Sequence, residues 1–335
     1  MRIAFDVSPL ARPHPRGVVR AVRGAVDALE RRGELEVVRL APADGEELRA
    51  WRHVELARRA EAAGCVGLHS FVSALPLAAR IARVQTVHEL PWRHGVLENA
   101  DLAHRAWVQV GALVARRIAV PSEFVARDLR AELAVGADKV RVVPWGVGAP
   151  FTERGDAELE RELVARLSLA DAPFVLAPGA TRPKKNLAAT LRGLARLGSR
   201  ATLVVTGAPT ETLESDRELA RELGVTLSIV GEVDDRELAA LYRLSACTVV
   251  LSHSEGCALP VLEARACGAP VVVAKRGAAA ELAGSRGFAA EAANQDEVAE
   301  ALARAFAAPR EPDVGASWDA TAERLEALWR ELASS

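Results

Sequence analysis

The feature that most constrains how this chain can fold is an alternation that runs through it twice. "RIAFDVS" is followed by "GVVRAVRGAVDALERRG", an amphipathic helix closed by Gly33, and then by "LEVVRLA". "VGLHS", "RVQTVHEL", "RRIAVPS" and "VRVVPWGV" continue as short apolar runs separated by helical segments. The pattern then restarts with "FVLAPGA", a helix over 186–197, "ATLVVTG", a helix over 211–223, "LSIVGEV", a helix over 235–244, "CTVVLS", a helix over 259–267 and "PVVVA". Runs so uniformly apolar suit strands buried on both faces, and strands alternating with helices require a parallel sheet covered by those helices. The break at "VPWGVGAPFTERGD" predicts two doubly wound α/β domains, 1–148 and 149–315, joined near residues 146–155. A last helix in 316–335 carries Trp318, Leu325, Leu328, Trp329 and Leu332 on one side, an apolar face with no later strand to cover it.

A chain of 335 residues has room for two such domains. Arg, Glu and Asp interrupt every apolar stretch before it reaches bilayer length. The opening "MRIAFDVSPLARP" lacks the apolar core of a signal peptide and reads as a first buried strand. Cys65, Cys247, Cys257 and Cys267 show no metal-ligand spacing and are expected to be reduced packing residues of a cytoplasmic protein.

Charge is unevenly spread. Residues 1–150 hold 22 Lys and Arg against 17 Asp and Glu, whereas the remainder holds 21 against 28. A basic first half has two readings: a face for an anionic substrate or a membrane surface, or ordinary solvated faces, which weigh more on charge alone. Only Lys139, Lys184, Lys185 and Lys275 among the 43 basic residues are lysine. Two adjacent lysines in "ATRPKKNL" therefore suggest a chemical requirement, since a compact ammonium suits a phosphate oxygen.

In open parallel sheets, ligands bind beyond the carboxyl ends of strands, where loops lead into helix N-termini. "HSEGCALPVLEARACGAPVVV", His253 to Val273, is such a place. "CTVVLS" ends at Ser252, Glu255 lies in the loop, and Pro260 suits a first helical turn. The amides from Gly256 to Leu259 are then expected to point outward as an anion site, aided by the helix dipole. Glu263 is expected on the first turn, where the dipole alone would favour an acid. Amides for phosphate and carboxylates for hydroxyls suit a phosphorylated sugar.

The string S-x-E-G-x-x-L-P-x-L-E-A-x-A-x-G-x-P-V-V, with Glu255 and Glu263 as an E-x7-E pair, resembles the GT-B glycosyltransferases of family GT4. Other segments match in order: residues 2–23, "TVHEL", "VPSEFVARDL", "VRVVPWGV", "PGATRPKKNL", "LVVTGAP", "IVGEVDDRELAALYRLS" and "SWDATAERLEALW". The resemblance implies a GT-B fold, two Rossmann-like domains facing across a cleft that closes over a nucleotide sugar. It implies a retaining hexosyltransferase that moves a sugar from a nucleoside-diphosphate sugar, with no metal or other cofactor, onto a saccharide or lipid-linked acceptor, and no nucleic-acid partner. Lys185 then matches the lysine that grips the donor diphosphate, beside Lys184. The family's phosphate-binding arginine falls where this chain has Ala180, and Arg182 stands nearby as its substitute. Glu255 is implied to contact donor hydroxyls and Glu263 the ribose. The amides of Gly256, Cys257, Ala258 and Leu259 would face the sugar and phosphates. Glu232 and Val233 would meet the base, and His88 the reacting sugar.

Three departures stand out. The first loop reads "HPRGVVR", with Arg16 before Gly17 where the family has two glycines; Arg16 adds charge but hinders close backbone approach to a phosphate. The family's "EGFGLP" is "EGCALP" here, and Trp145 replaces an Asn. The implied reaction neutralises the leaving diphosphate with Lys185, Lys184 and a helix N-terminus, and proceeds by front-face attack. Asp234 and Asp235 read as a helix N-cap and first turn. Two other classes stay open: a non-catalytic sugar-nucleotide-binding protein, and a sugar-nucleotide enzyme that is no transferase.

Overall fold

The computed structural model of the protein describes every residue except Asn99, Ala170, Asp171, Val314 and Ser335. It divides into two compact units, Met1–Gly146 together with Ala316–Ser335, and Val147–Gly315.

The first unit is built on a six-stranded sheet, wholly parallel, in the order β2-β1-β3-β4-β5-β6. The strands are β1 (Arg2–Asp6), β2 (Glu36–Leu40), β3 (Gly67–Ser70), β4 (Ala82–Thr86), β5 (Arg117–Val120) and β6 (Val140–Val142). Strand order reverses between β1 and β3. The helix Arg16–Arg32 buries Ala21, Val22, Ala25, Val26 and Leu29 at helical spacing and ends at Gly33, whose φ of 69° is the left-handed turn a glycine takes cheaply. The helix Trp318–Ser334 belongs to this unit and packs on Arg16–Arg32. Its two tryptophans explain two glycines. A Cβ on Gly24 would fall into the ring of Trp318, and one on Gly67 into the ring of Trp329. The buried carboxylate of Glu326 accepts from Arg32 Nε at 2.9 Å, and the Thr321 hydroxyl donates to the Pro144 carbonyl at 2.8 Å.

The second unit repeats the architecture with β7 (Phe174–Ala177), β8 (Thr202–Thr206), β9 (Leu227–Gly231), β10 (Cys247–Val250), β11 (Val271–Ala274) and β12 (Gly287–Ala290). All are parallel, in the order β12-β11-β10-β7-β8-β9, so the reversal lies between β7 and β10. Its core is Val175, Leu203, Val205, Val249 and Val272 against Leu191, Leu194, Val298 and Leu302 from helices on the sheet. Sequence reading stops at "PVVVA" and misses β12, whose "GFAA" is a short edge strand without an apolar run. It also misses the helix Gln295–Phe306, although a cap signal was present: Asn294 accepts from the amides of Asp296 and Glu297. Among the described residues no helix is long and apolar enough to cross a membrane.

Candidate functional site

The β7/β10 reversal is where a sheet of this kind leaves a crevice for a ligand. A pocket there is lined by Pro178, Gly179, Lys185, Leu187, Thr190 and Ser252. Two loops form it. After β7 the chain passes Gly179 (φ 111°) into a short 3-10 turn, Pro183–Lys185, and leaves it through Asn186 in the left-handed region (φ 52°). After β10 it runs through Ser252 to Ala258 into the helix Leu259–Ala266. The loops are tied together twice: the His253 amide donates to the Lys184 carbonyl at 2.9 Å, and Asn186 Nδ2 to the Leu251 carbonyl at 3.3 Å. From the other side, Gly207 at the end of β8 comes so close to Gly179 and Ala180 that a Cβ there would meet their backbone.

This framework brings Lys185 onto Glu255. Lys185 Nζ donates to Glu255 Oε1 at 2.8 Å, and both side chains are largely buried. Burial by itself would raise the Glu255 pKa. The charges of Lys185 and Lys184, with hydrogen bonds from Lys185 and Ser252, outweigh it and pull the carboxyl down to about 2. Glu255 is therefore a carboxylate at any working pH, fit to accept hydrogen bonds from hydroxyls.

The helix that follows starts with Ala258 at its N-cap, and no side chain caps it among the described residues. The positive end of its dipole thus lies at the end of the loop that carries Glu255, Gly256 and Cys257. Ala258 has φ 46° and ψ 49°, a left-handed conformation that glycine adopts freely and alanine does not. The departure from glycine at this position is accordingly a strained one. Cys257 is half-buried in this loop, while Cys65, Cys247 and Cys267 are buried, and all four are free thiols.

Glu263 corrects another expectation. The helix begins at Leu259, and its first turn holds no acid. Glu263 lies one turn further in, 2% exposed, where its Oε2 accepts from the Tyr242 hydroxyl at 3.0 Å. The dipole does not explain a buried acid there; a dedicated partner does. Tyr242 was missed in the sequence, although its being the only tyrosine of the chain was a usable signal.

Of the remaining donor-side residues, Arg182 is exposed at the start of the 3-10 turn and Lys184 is half-buried within it. Glu232 and Val233 follow β9, two strands and so about 10 Å from β7. Glu232 is exposed and Val233 buried. Asp234 and Asp235 form the helix start expected of them, Asp234 closing a capping box with Glu237. Among the described residues no three His, Cys, Asp or Glu side chains cluster as a metal site requires.

In the first unit, His88 lies two residues beyond β4. A carbonyl only accepts, so Nε2 carries the proton it shares with the Phe71 carbonyl at 2.7 Å, and Nδ1 is the basic nitrogen. Burial lowers its pKa, keeping the imidazole neutral near pH 7. This is a backbone hydrogen bond open to any strand-end histidine, and it also fixes the tautomer a reacting group would meet. Arg16 and Gly17 are exposed on the first turn of Arg16–Arg32, a turn without acidic residues.

Residues 161–317 match the family model described as glycosyl transferases group 1. The second unit carries a glycosyl transferases group 1 domain. Every donor-side residue named above, from Arg182 to Glu263, lies within the matched segment. Comparison with curated proteins returns no match. Among solved structures, the chain resembles a sucrose-phosphate synthase from Thermosynechococcus elongatus, with TM-score 0.75, 20% identity and 100% of both chains covered. It resembles Anabaena HepE in complex with UDP and glucose, with TM-score 0.75, 16% identity and 100% of both chains covered. A third likeness is to an α,α-trehalose-phosphate synthase (UDP-forming) from Burkholderia xenovorans in complex with glucose-6-phosphate, with TM-score 0.65, 14% identity, and 99% of this chain and 98% of that one covered. At these identities the likeness carries the fold, which is GT-B.

Proposed function

We propose that this protein is a retaining glycosyltransferase of family GT4 that moves a hexose from a nucleoside-diphosphate sugar to a saccharide or lipid-linked acceptor. The observation that carries this reading is the Lys185–Glu255 pair at the switch point of a glycosyl transferases group 1 domain, beside the N-terminus of the helix Leu259–Ala266. Lys185 and Lys184, with the amides of Gly256 to Leu259, neutralise the leaving diphosphate without a metal ion. Glu255 holds donor hydroxyls, Glu263 the ribose, and Glu232 and Val233 flank the base, while Arg182 adds charge near the phosphates. From the first unit, His88 meets the reacting sugar and Arg16 and Gly17 bind the donor. Attack from the same face as departure retains the anomeric configuration, and the donor phosphate takes the acceptor proton. The enzyme works in the cytoplasm, reaching lipid-linked acceptors at the membrane's inner face through its first unit.

The test is a thermal-shift screen of nucleotide sugars, because a ligand that binds only the folded state raises its melting temperature by mass action. The donor found is then incubated with candidate acceptors and the product's anomeric configuration read by NMR. An inverted product overturns the retaining mechanism. Binding without hydrolysis or transfer would identify a sugar-nucleotide-binding protein.

A further inference from the structure

Trp145, which replaces an Asn of the family's pattern, is 1% exposed, and its indole N–H has no hydrogen-bond partner among the described residues. A buried donor without an acceptor is costly, so stability alone would favour a phenyl or aliphatic side chain there. The residue is nevertheless closely fixed. The Pro144 carbonyl before it accepts from the Thr321 hydroxyl, and Gly146 after it abuts the backbone of Ser317. Its ring lies 5.9 Å from that of His88, tilted by 41°, and 6.1 Å from that of Phe71. Phe71 also supplies the carbonyl that accepts from His88 Nε2 at 2.7 Å. The ring contacts continue inward: Phe71 stacks on His69 at 4.7 Å, and His69 meets Trp329 at 6.4 Å. Phe71, His69 and Trp329 are all buried. His88 thus ends a continuous run of rings that begins on the helix Trp318–Ser334, and Trp145 is the last ring before the imidazole.

A single hydrogen bond at Nε2 sets the tautomer but leaves the plane of the imidazole free to turn about that bond. A ring packed on it removes this freedom, and a reacting group needs its rotamer locked in this way. We propose that Trp145 is a positioning residue: packed against His88, it fixes the imidazole plane and so the direction in which Nδ1 is presented. The role rests on the part given to His88 in the proposed function, but the packing can be tested without turnover.

The experiment is nitrogen NMR of the histidine side chains of the full-length protein across pH, with His88 assigned by its loss in His88→Gln. Burial holds the His88 pKa below its ordinary value; the Phe71 carbonyl and Glu89 act against this, and His104 and His14 act with it. His69 faces His88 from β3. All these groups stay in every variant of Trp145. The parent and Trp145→Phe are expected to show the Nε2–H tautomer alone and a midpoint below about 6.5. Trp145→Leu, apolar but without a ring, leaves room for water, so the midpoint should rise toward about 6.5 and the tautomers should mix. With donor and acceptor supplied, Trp145→Leu should lower kcat by about tenfold or more with little change in KM for the donor. A parent in which His88 already samples both tautomers overturns the proposal without any variant. So does Trp145→Leu if it melts lower yet keeps the parent's tautomer and midpoint, since Trp145 then only fills space. Trp145→Phe shifting His88 as far as Trp145→Leu overturns it too. If His88 shifts in Trp145→Leu and kcat does not, the positioning stands and the part of His88 in the transfer fails instead.

Discussion

Lys185 and Glu255 neutralise each other across the β7/β10 switch point at 2.8 Å, so the diphosphate of the proposed donor would compete with a carboxylate for its cation. Lys185→Ala should lower kcat/KM by about 10²-fold or more through lost charge stabilisation, and Lys185→Arg should recover only part of it, since the two cations differ in shape. Glu255→Gln should depress turnover yet leave free nucleoside-diphosphate affinity unchanged or higher, because Lys185 loses its competing partner. Calorimetry that finds that affinity reduced along with turnover would move Glu255 out of the sugar's vicinity. EDTA should leave activity intact.

Glu263 and Tyr242 should behave as one unit. Glu263→Gln is expected to weaken free nucleotide, as a ribose contact would. Tyr242→Phe removes the hydroxyl that donates to the buried carboxylate and should cost about 1–3 kcal/mol of stability in the second unit, with a smaller loss of nucleotide affinity. Nucleotide binding untouched by either change would leave the pair a purely structural one.

Ala258→Gly should raise the stability of the second unit by about 1 kcal/mol, because it relieves a left-handed alanine. Differential scanning calorimetry reads this as a rise in Tm of a few degrees, and a fall would show that the Ala258 side chain, which is buried, contributes more by packing than it costs in strain.

His69 makes the first unit acid-sensitive. Its ring stacks against both Phe5 and Phe71, with centroids 5.7 and 4.7 Å away, and Nε2 pairs with Thr86 Oγ1 at 2.8 Å. Burial first, and the neighbouring His88 charge second, push its pKa down to about 3. The folded pKa lies below the unfolded one, so this stabilisation is full above about pH 6.5 and is lost as the pH falls toward 3, at up to about 1.4 kcal/mol per pH unit. All six tryptophans lie in the first unit, so their fluorescence during urea unfolding reports on it. The midpoint should fall from pH 7 to pH 5, and His69→Gln should flatten the dependence; an unchanged slope would assign it to other groups.

Trp329→Ala should destabilise the first unit by about 3–5 kcal/mol, since it empties the space over Gly67. Deleting residues 316–335 should abolish activity and lower solubility although no proposed donor contact is removed. A truncated protein that stays soluble and active would refute this role for the helix.

Much of this was legible in the sequence because parallel strands buried on both faces leave an unambiguous apolar run. "FVLA", "TLVVT", "CTVV" and "VVVA" are all strands where expected. β12 escaped because an edge strand need not be apolar. The Lys185–Glu255 contact depends on two loops 70 residues apart meeting at a strand-order reversal, which local pattern does not encode. The inward turn of Glu263 was likewise hidden. The helix starts at Leu259 as expected, but the partner that draws Glu263 inward, the Tyr242 hydroxyl, sits on another helix 21 residues away.

The close passage of Gly146 against the backbone of Ser317, where a Cβ would have no room, has a consequence for biogenesis. The chain leaves the first unit and re-enters it at one point, which makes Val147–Gly315 an insertion into an otherwise finished sheet. On the ribosome, all six strands of that sheet emerge before the insertion, but the helix bearing Trp318 and Trp329 emerges after it. At about 5–20 residues per second the delay is roughly 10–30 s. Through that interval the grooves over Gly24 and Gly67 await their tryptophans, so the nascent first unit presents apolar surface to chaperones while the second is already able to fold.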